Sequence, residues 1–153
     1  EVTLAIILAA VARSMIILIV SVLVFSLIIE IHFYKIVYIF LGTFLGSFIL
    51  GALGFMTGQY ALKFDHTAAV TNFIITPASF LSGVFYTTDR LPAFFQAISE
   101  WNPFFYIIDI TRYGFLGESD GNIFFGIIYL SIISLLLWLL CWYLYKIGWK
   151  LKS

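Results

Sequence analysis

Residues 100–114, EWNPFFYIIDITRYG, decide how the chain is read. The stretch is apolar enough for a bilayer, yet it holds Glu100, Asp109 and Arg112 and is punctuated by Asn102 and Pro103. The uncharged pieces around it, 91–99 and 101–108, are too short to cross about 30 Å of hydrocarbon, which takes roughly 20 helical residues. Pro92 stands near the start of the first piece and Asn102 with Pro103 before the second. Proline suits a first helical turn, where its N–H would have no partner anyway, and asparagine can cap that turn. Gly114 and Gly117 fit a helix stop. The spacing predicts two short helices over 91–117, a re-entrant hairpin that enters and leaves by one leaflet. Such a hairpin is stable only where protein or water covers its open backbone ends.

The rest of the chain sets the hairpin in a membrane. Of its 153 residues, 63% are hydrophobic and only 10% charged, far from the balance of a soluble domain. Uncharged windows at 36–62, 67–88 and 121–145 each exceed the crossing length, and 2–29 is interrupted only by Arg13. The fold expected is all-α and integral to the membrane. Four spans lie at about 10–29, 36–58, 70–88 and 122–145, with the hairpin before the last. Arg13 is expected near an interface, where its stem can carry the charge to the headgroups. Spanning elements must be helices, because backbone groups in lipid find no water and the runs lack a barrel strand's alternation.

Four crossings leave both ends on one side. Lys146, Lys150 and Lys152 assign that side to the cytoplasm, where Arg13 and Lys63 join them, against Lys35, Arg90 and Arg112 outside. Phe33, Tyr34 and Tyr38 cluster at the outer edge, and Trp138, Trp142, Tyr143 and Tyr145 at the inner one, as interfacial aromatics do. The second span carries Gly42 with Gly46 and Gly54 with Gly58, pairs at helical spacing that lie about 120° apart around the axis. Each pair lets a neighbour approach closely, so this helix is expected to pack on at least two others, within one bundle or across a subunit seam.

Asp109 and Arg112, three apart, can pair on one helix face. They read either as part of an outer gate or as an ion pair in a solvated loop. Thr76, Pro77, Ser79 and Ser82 bring polarity and a kink to the third span, as helix-to-helix hydrogen bonds or as the lining of a path. No phosphate-cradling glycine loop, zinc-protease motif or nucleophile elbow occurs, Cys141 stands alone, and His32 and His66 fall on opposite sides. The sequence therefore predicts no catalytic residue, no metal site and no bound cofactor. Zero net charge gives no face for nucleic acid.

Residues 72–117, NFIITPASFLSGVFYTTDRLPAFFQAISEWNPFFYIIDITRYGFLG, resemble the C-terminal portion of the membrane subunit of type-2 ABC exporters. The proline-bearing span, the FLSGVFY, LP and NPF elements and the arginine before the last span carry the likeness. The resemblance implies a bacterial inner-membrane permease moving a polysaccharide, glycolipid or drug outward. A second permease copy would complete it, and a separate ATPase subunit would hold ATP and Mg. It implies that two N-terminal spans and a surface helix precede Glu1. It places Asp89, Arg90, Pro92, Asn102, Pro103, Asp109 and Arg112 at the outer gate, with Thr76, Ser79 and Ser82 along the path. Glu1, Arg13, Lys63, Asp65 and His66 fall towards the ATPase. The rival readings are a secondary transporter or channel, against which the absence of acids deep in the four spans argues, and a membrane enzyme.

Overall fold

A computed structural model describes residues 2–60, 68–83, 99 and 101–147. Helix α1 runs Val2–Ser26 and α2 Ile36–Tyr60. Helix α3 covers Ala68–Phe80, α4 Pro103–Leu116 and α5 Ile123–Lys146. No strand occurs among the described residues. Three of the helices, α1, α2 and α5, are long and apolar enough to cross a membrane.

The central helix is α2, which packs against α1, α4 and α5. Of its apolar window 33% is buried, against 11% in α1 and 17% in α5, so the other two turn most of their leucines and isoleucines outward. Outside water that exposure is no defect, since lipid tails solvate apolar side chains as well as a protein core does. Association of the helices then rests on close packing. The packing is densest where Leu45 and Ile49 of α2 meet Phe105, Tyr106 and Ile110 of α4 and Leu130 of α5. A smaller cluster of Ile7, Ala52 and Cys141 ties α1, α2 and α5 together. Ser47, Thr111 and Ser131 return their hydroxyls to the carbonyls of Thr43, Ile107 and Ile127, so these polar groups need no partner from lipid or from a neighbouring helix.

Two boundaries differ from the expectation. The first helix is continuous from Val2, because VTLAIILAA holds no breaker, and Arg13 therefore sits midway along α1 and exposed, about 17 Å from its start at ~1.5 Å per residue. Arg13 is thus well inside a helix whose 25 residues exceed the roughly 20 that a crossing takes. The window expected as the span 70–88 is not one helix. It ends at Phe80 in a turn over 81–83, where Gly83 takes φ 80°, a left-handed conformation that glycine adopts without a side-chain clash. Residues 84–88 lie outside those described.

Within α3, residues Thr71–Ile75 form a turn of π-helix directly before Pro77. The amide and hydroxyl of Thr76 both donate to the Thr71 carbonyl, five residues back. A proline placed next would clash with a carbonyl of a regular α turn, and the widened turn accommodates it.

Candidate functional site

Helix α4 begins and ends where its residues dictate. The Asn102 side-chain oxygen accepts from the Phe104 amide at 3.0 Å, Pro103 fills the first turn, and Gly117 closes the helix at φ 78° with its amide on the Tyr113 carbonyl. These are the start and stop read from the sequence.

The helix lies antiparallel to α2, tight enough to require glycine on both sides. A Cβ at Gly42 would fall 2.5 Å from the Thr111 hydroxyl, and one at Gly46 would fall 2.7 Å from Ile107. At Gly114 a Cβ would collide with Ile39. The pair Gly42 and Gly46 thus receives α4. Nothing among the described residues lies within 4 Å of a Cβ built on Gly54 or Gly58. Gly54 instead borders an apolar groove of about 650 Å³ between α1, α2 and α4, with Ala10, Ser14, Ser47, Gly51 and Phe104 among its walls.

The start of α4 lies beside the second turn of α5, well past that helix's N-terminal end. The Tyr129 hydroxyl, nearly two turns into α5, donates to the Trp101 carbonyl at 2.6 Å. The Asn102 amide nitrogen donates to the Ala78 carbonyl at 2.6 Å and the Ser99 hydroxyl to the Leu81 carbonyl at 2.9 Å. Carbonyls at the end of α3 have no partner in their own helix, and these side chains supply one. The same two bonds fasten α3 to α4.

At the other end of α4, Asp109 is 1% exposed. Its carboxylate accepts from the Asp120 amide at 2.8 Å, the Gly121 amide at 3.1 Å and Arg112 Nη2 at 3.0 Å. Arg112 reaches the Asp120 carboxylate at 2.7 Å with the same nitrogen. Burial works against the Arg112 charge, but hydrogen bonds to Asp109 and Asp120 and their charges outweigh it and raise the guanidinium above its ordinary value. The Asp109–Arg112 pair expected from the spacing is present. Its geometry is that of a clamp on the 117–122 turn, with the carboxylate spent on backbone amides and turned away from open space. Asp120 and the two amides were not legible in the sequence, because only the returning turn brings them to α4. Tyr34 and Lys35 add two further bonds, both donating to the Gly114 carbonyl at 3.1 and 3.0 Å.

Of the remaining expected site residues, Thr76, Ser79 and Ser82 each bond a carbonyl of α3 itself, those of Thr71, Ile75 and Ser79. Only Ser82 among them is buried. Glu1, Lys63, Asp65, His66, Asp89, Arg90, Pro92 and Glu100, and the first arm of the expected hairpin except Ser99, lie outside the described residues. No metal-holding cluster occurs among the described ones.

Several apolar helices of spanning length around a shorter, clamped helix make this an all-helical, multi-pass membrane protein. The model of the ABC-2 type transporter family matches residues 1–116, and the chain belongs to that family. It is 36% identical over 119 residues to the inner membrane transport permease YadH of Escherichia coli K12, covering 76% of this chain and 46% of that one. To nodulation protein J of Rhizobium leguminosarum it is 33% identical over 72 residues, 47% of this chain and 28% of that one. The chain thus spans less than half the length of these relatives. No solved structure matches it.

Proposed function

We propose that the chain is the membrane-spanning part of an ATP-driven ABC exporter in a bacterial inner membrane, with both of its ends cytoplasmic. It works as a pair of copies and is powered by a separate ATPase subunit that holds ATP and Mg. The cargo class is a polysaccharide, glycolipid or drug, moved outward. Membership of the ABC-2 family over residues 1–116 is the observation that carries this reading.

The path of force is set by the contacts on α3 and α4. Residues 61–67, between α2 and α3, face the cytoplasm in this reading and receive the push of the ATPase. Helix α3 passes it upward through the π turn before Pro77, where a bend is easiest. The bonds from Asn102 and Ser99 hand it to α4. The bond from the Tyr129 hydroxyl, nearly two turns into α5, to the Trp101 carbonyl supports a re-entrant hairpin, and the fourth crossing begins with α3. ATP binding drives the cycle only by favouring one arrangement of these elements over another.

The test is transport into or out of proteoliposomes holding the full-length permease and its co-purifying ATPase. A Walker-motif substitution in the ATPase should abolish ATP-dependent movement of the cargo. Unchanged transport would assign the chain to a carrier or channel that ATP does not drive.

A further inference from the structure

Lys35 sits where α2 begins, and its ammonium is surrounded by aromatic rings. Its Nζ lies 5.4 Å from the centre of the Tyr34 ring, 5.8 Å from that of Tyr38 and 5.8 Å from that of Tyr113. Tyr113 in turn meets Tyr34 and Tyr38 edge-on, at 5.5 and 5.1 Å between ring centres. The cage is fixed from below by the two amides of Tyr34 and Lys35 on the Gly114 carbonyl. Ring faces favour a cation but bring no negative charge. Among the described residues Lys35 pairs with no carboxylate, the salt bridges there all belonging to Arg112. The hydroxyls of Tyr34, Tyr38 and Tyr113 make no hydrogen bond there either. One positive charge and three tyrosine rings thus lie together at this helix end, with no carboxylate paired to the charge among the described residues.

Beside the cage, Leu18 and Val22 of α1 and Phe33, Ile36, Ile39 and Phe40 enclose an apolar groove of about 130 Å³. Ile36 follows Lys35 directly and Ile39 lies one turn on, so groove and cage open on adjacent faces of one helix end. In a helix that crosses the bilayer, that end lies at headgroup level.

We propose that this corner binds one anionic glycerophospholipid, its phosphate on Lys35 and the tyrosine hydroxyls and the top of an acyl chain in the groove between α1 and α2. The shared chemistry is that of any phosphate monoanion, and the groove selects the lipid. A zwitterionic headgroup fits less well, because its ammonium would compete for ring faces that Lys35 already occupies. The inference rests on the crossing of the bilayer by α1 and α2 and not on transport.

The experiment is native mass spectrometry of the full-length protein extracted from vesicles of equal phosphatidylglycerol and phosphatidylcholine. The expected result is retention of phosphatidylglycerol over phosphatidylcholine, reduced about fivefold in Lys35→Gln and kept in Lys35→Arg. Val22→Phe, which fills the groove and leaves the cage intact, should lower retention as well. Millimolar inorganic phosphate should leave the bound lipid in place. Equal retention of both lipids, or undiminished phosphatidylglycerol in either Lys35→Gln or Val22→Phe, would overturn the site. Displacement by inorganic phosphate would show a free-anion site and overturn the lipid.

Discussion

Replacing Asp109 by asparagine keeps the side chain's shape, removes its charge and should loosen the 117–122 turn. Three donors converge on the carboxylate, two of them backbone amides of that turn. Asparagine offers one acceptor oxygen, and its own N–H₂ then faces at least one of those donors. A hydrogen bond to a charged acceptor contributes about 1.5–3 kcal/mol, and the change removes one outright and weakens another, for a loss of roughly 3 kcal/mol. The bond to Arg112 adds little to that sum, since its side chain is 22% exposed and retains Asp120. At about 1.4 kcal/mol per tenfold, opening of the turn becomes ~100-fold more frequent. Amide hydrogen exchange at Asp120 and Gly121 reads that opening directly. Protection that changes less than about threefold in Asp109→Asn would refute the clamp. Asp120→Asn, at a site that is one-fifth exposed, should lower protection far less.

Gly42→Ala, which drives a methyl into the Thr111 hydroxyl, should lower the thermal midpoint by an amount equivalent to about 1–3 kcal/mol. Gly54→Ala meets open space among the described residues and should leave the midpoint unchanged or raise it slightly, as alanine does in helices. Asn102→Asp keeps an oxygen to cap the Phe104 amide but loses the donor to Ala78. ATP hydrolysis should persist in the reconstituted complex while cargo movement falls, and parallel losses of both would show that the contact between α3 and α4 does not transmit force. Cys141, 0% exposed, should resist a membrane-permeant maleimide until the protein is unfolded. Rapid labelling in the native protein would show that the packing of α1, α2 and α5 around it opens freely.

Much of α4 was legible because its signals are local. Asn102, Pro103 and Gly117 act on backbone groups within a turn of themselves, and Asp109 reaches Arg112 along one helix face. The long helices α1, α2 and α5 were legible because apolar length alone defines them. What escaped depends on distant segments meeting. Asp120 and the Gly121 amide join Asp109 only through the returning turn, and the Lys35 cage draws Tyr113 from another helix. The partner of Gly42 and Gly46 is the short α4, which spacing within α2 alone does not name. The end of α3 at Phe80 escaped because hydropathy averages over the left-handed Gly83, which a single φ angle turns into a corner.

The two ends of α4 are held by different chemistry. Ion pairs, backbone amides and the two hydrogen bonds donated to the Gly114 carbonyl pin one end, whereas the other rests on neutral contacts from Ser99, Trp101 and Asn102. In an exporter driven through α3, movement of α4 is expected to begin at Pro103 and Phe104, beside the neutral bonds, and to be least at Gly117, beside the charged clamp.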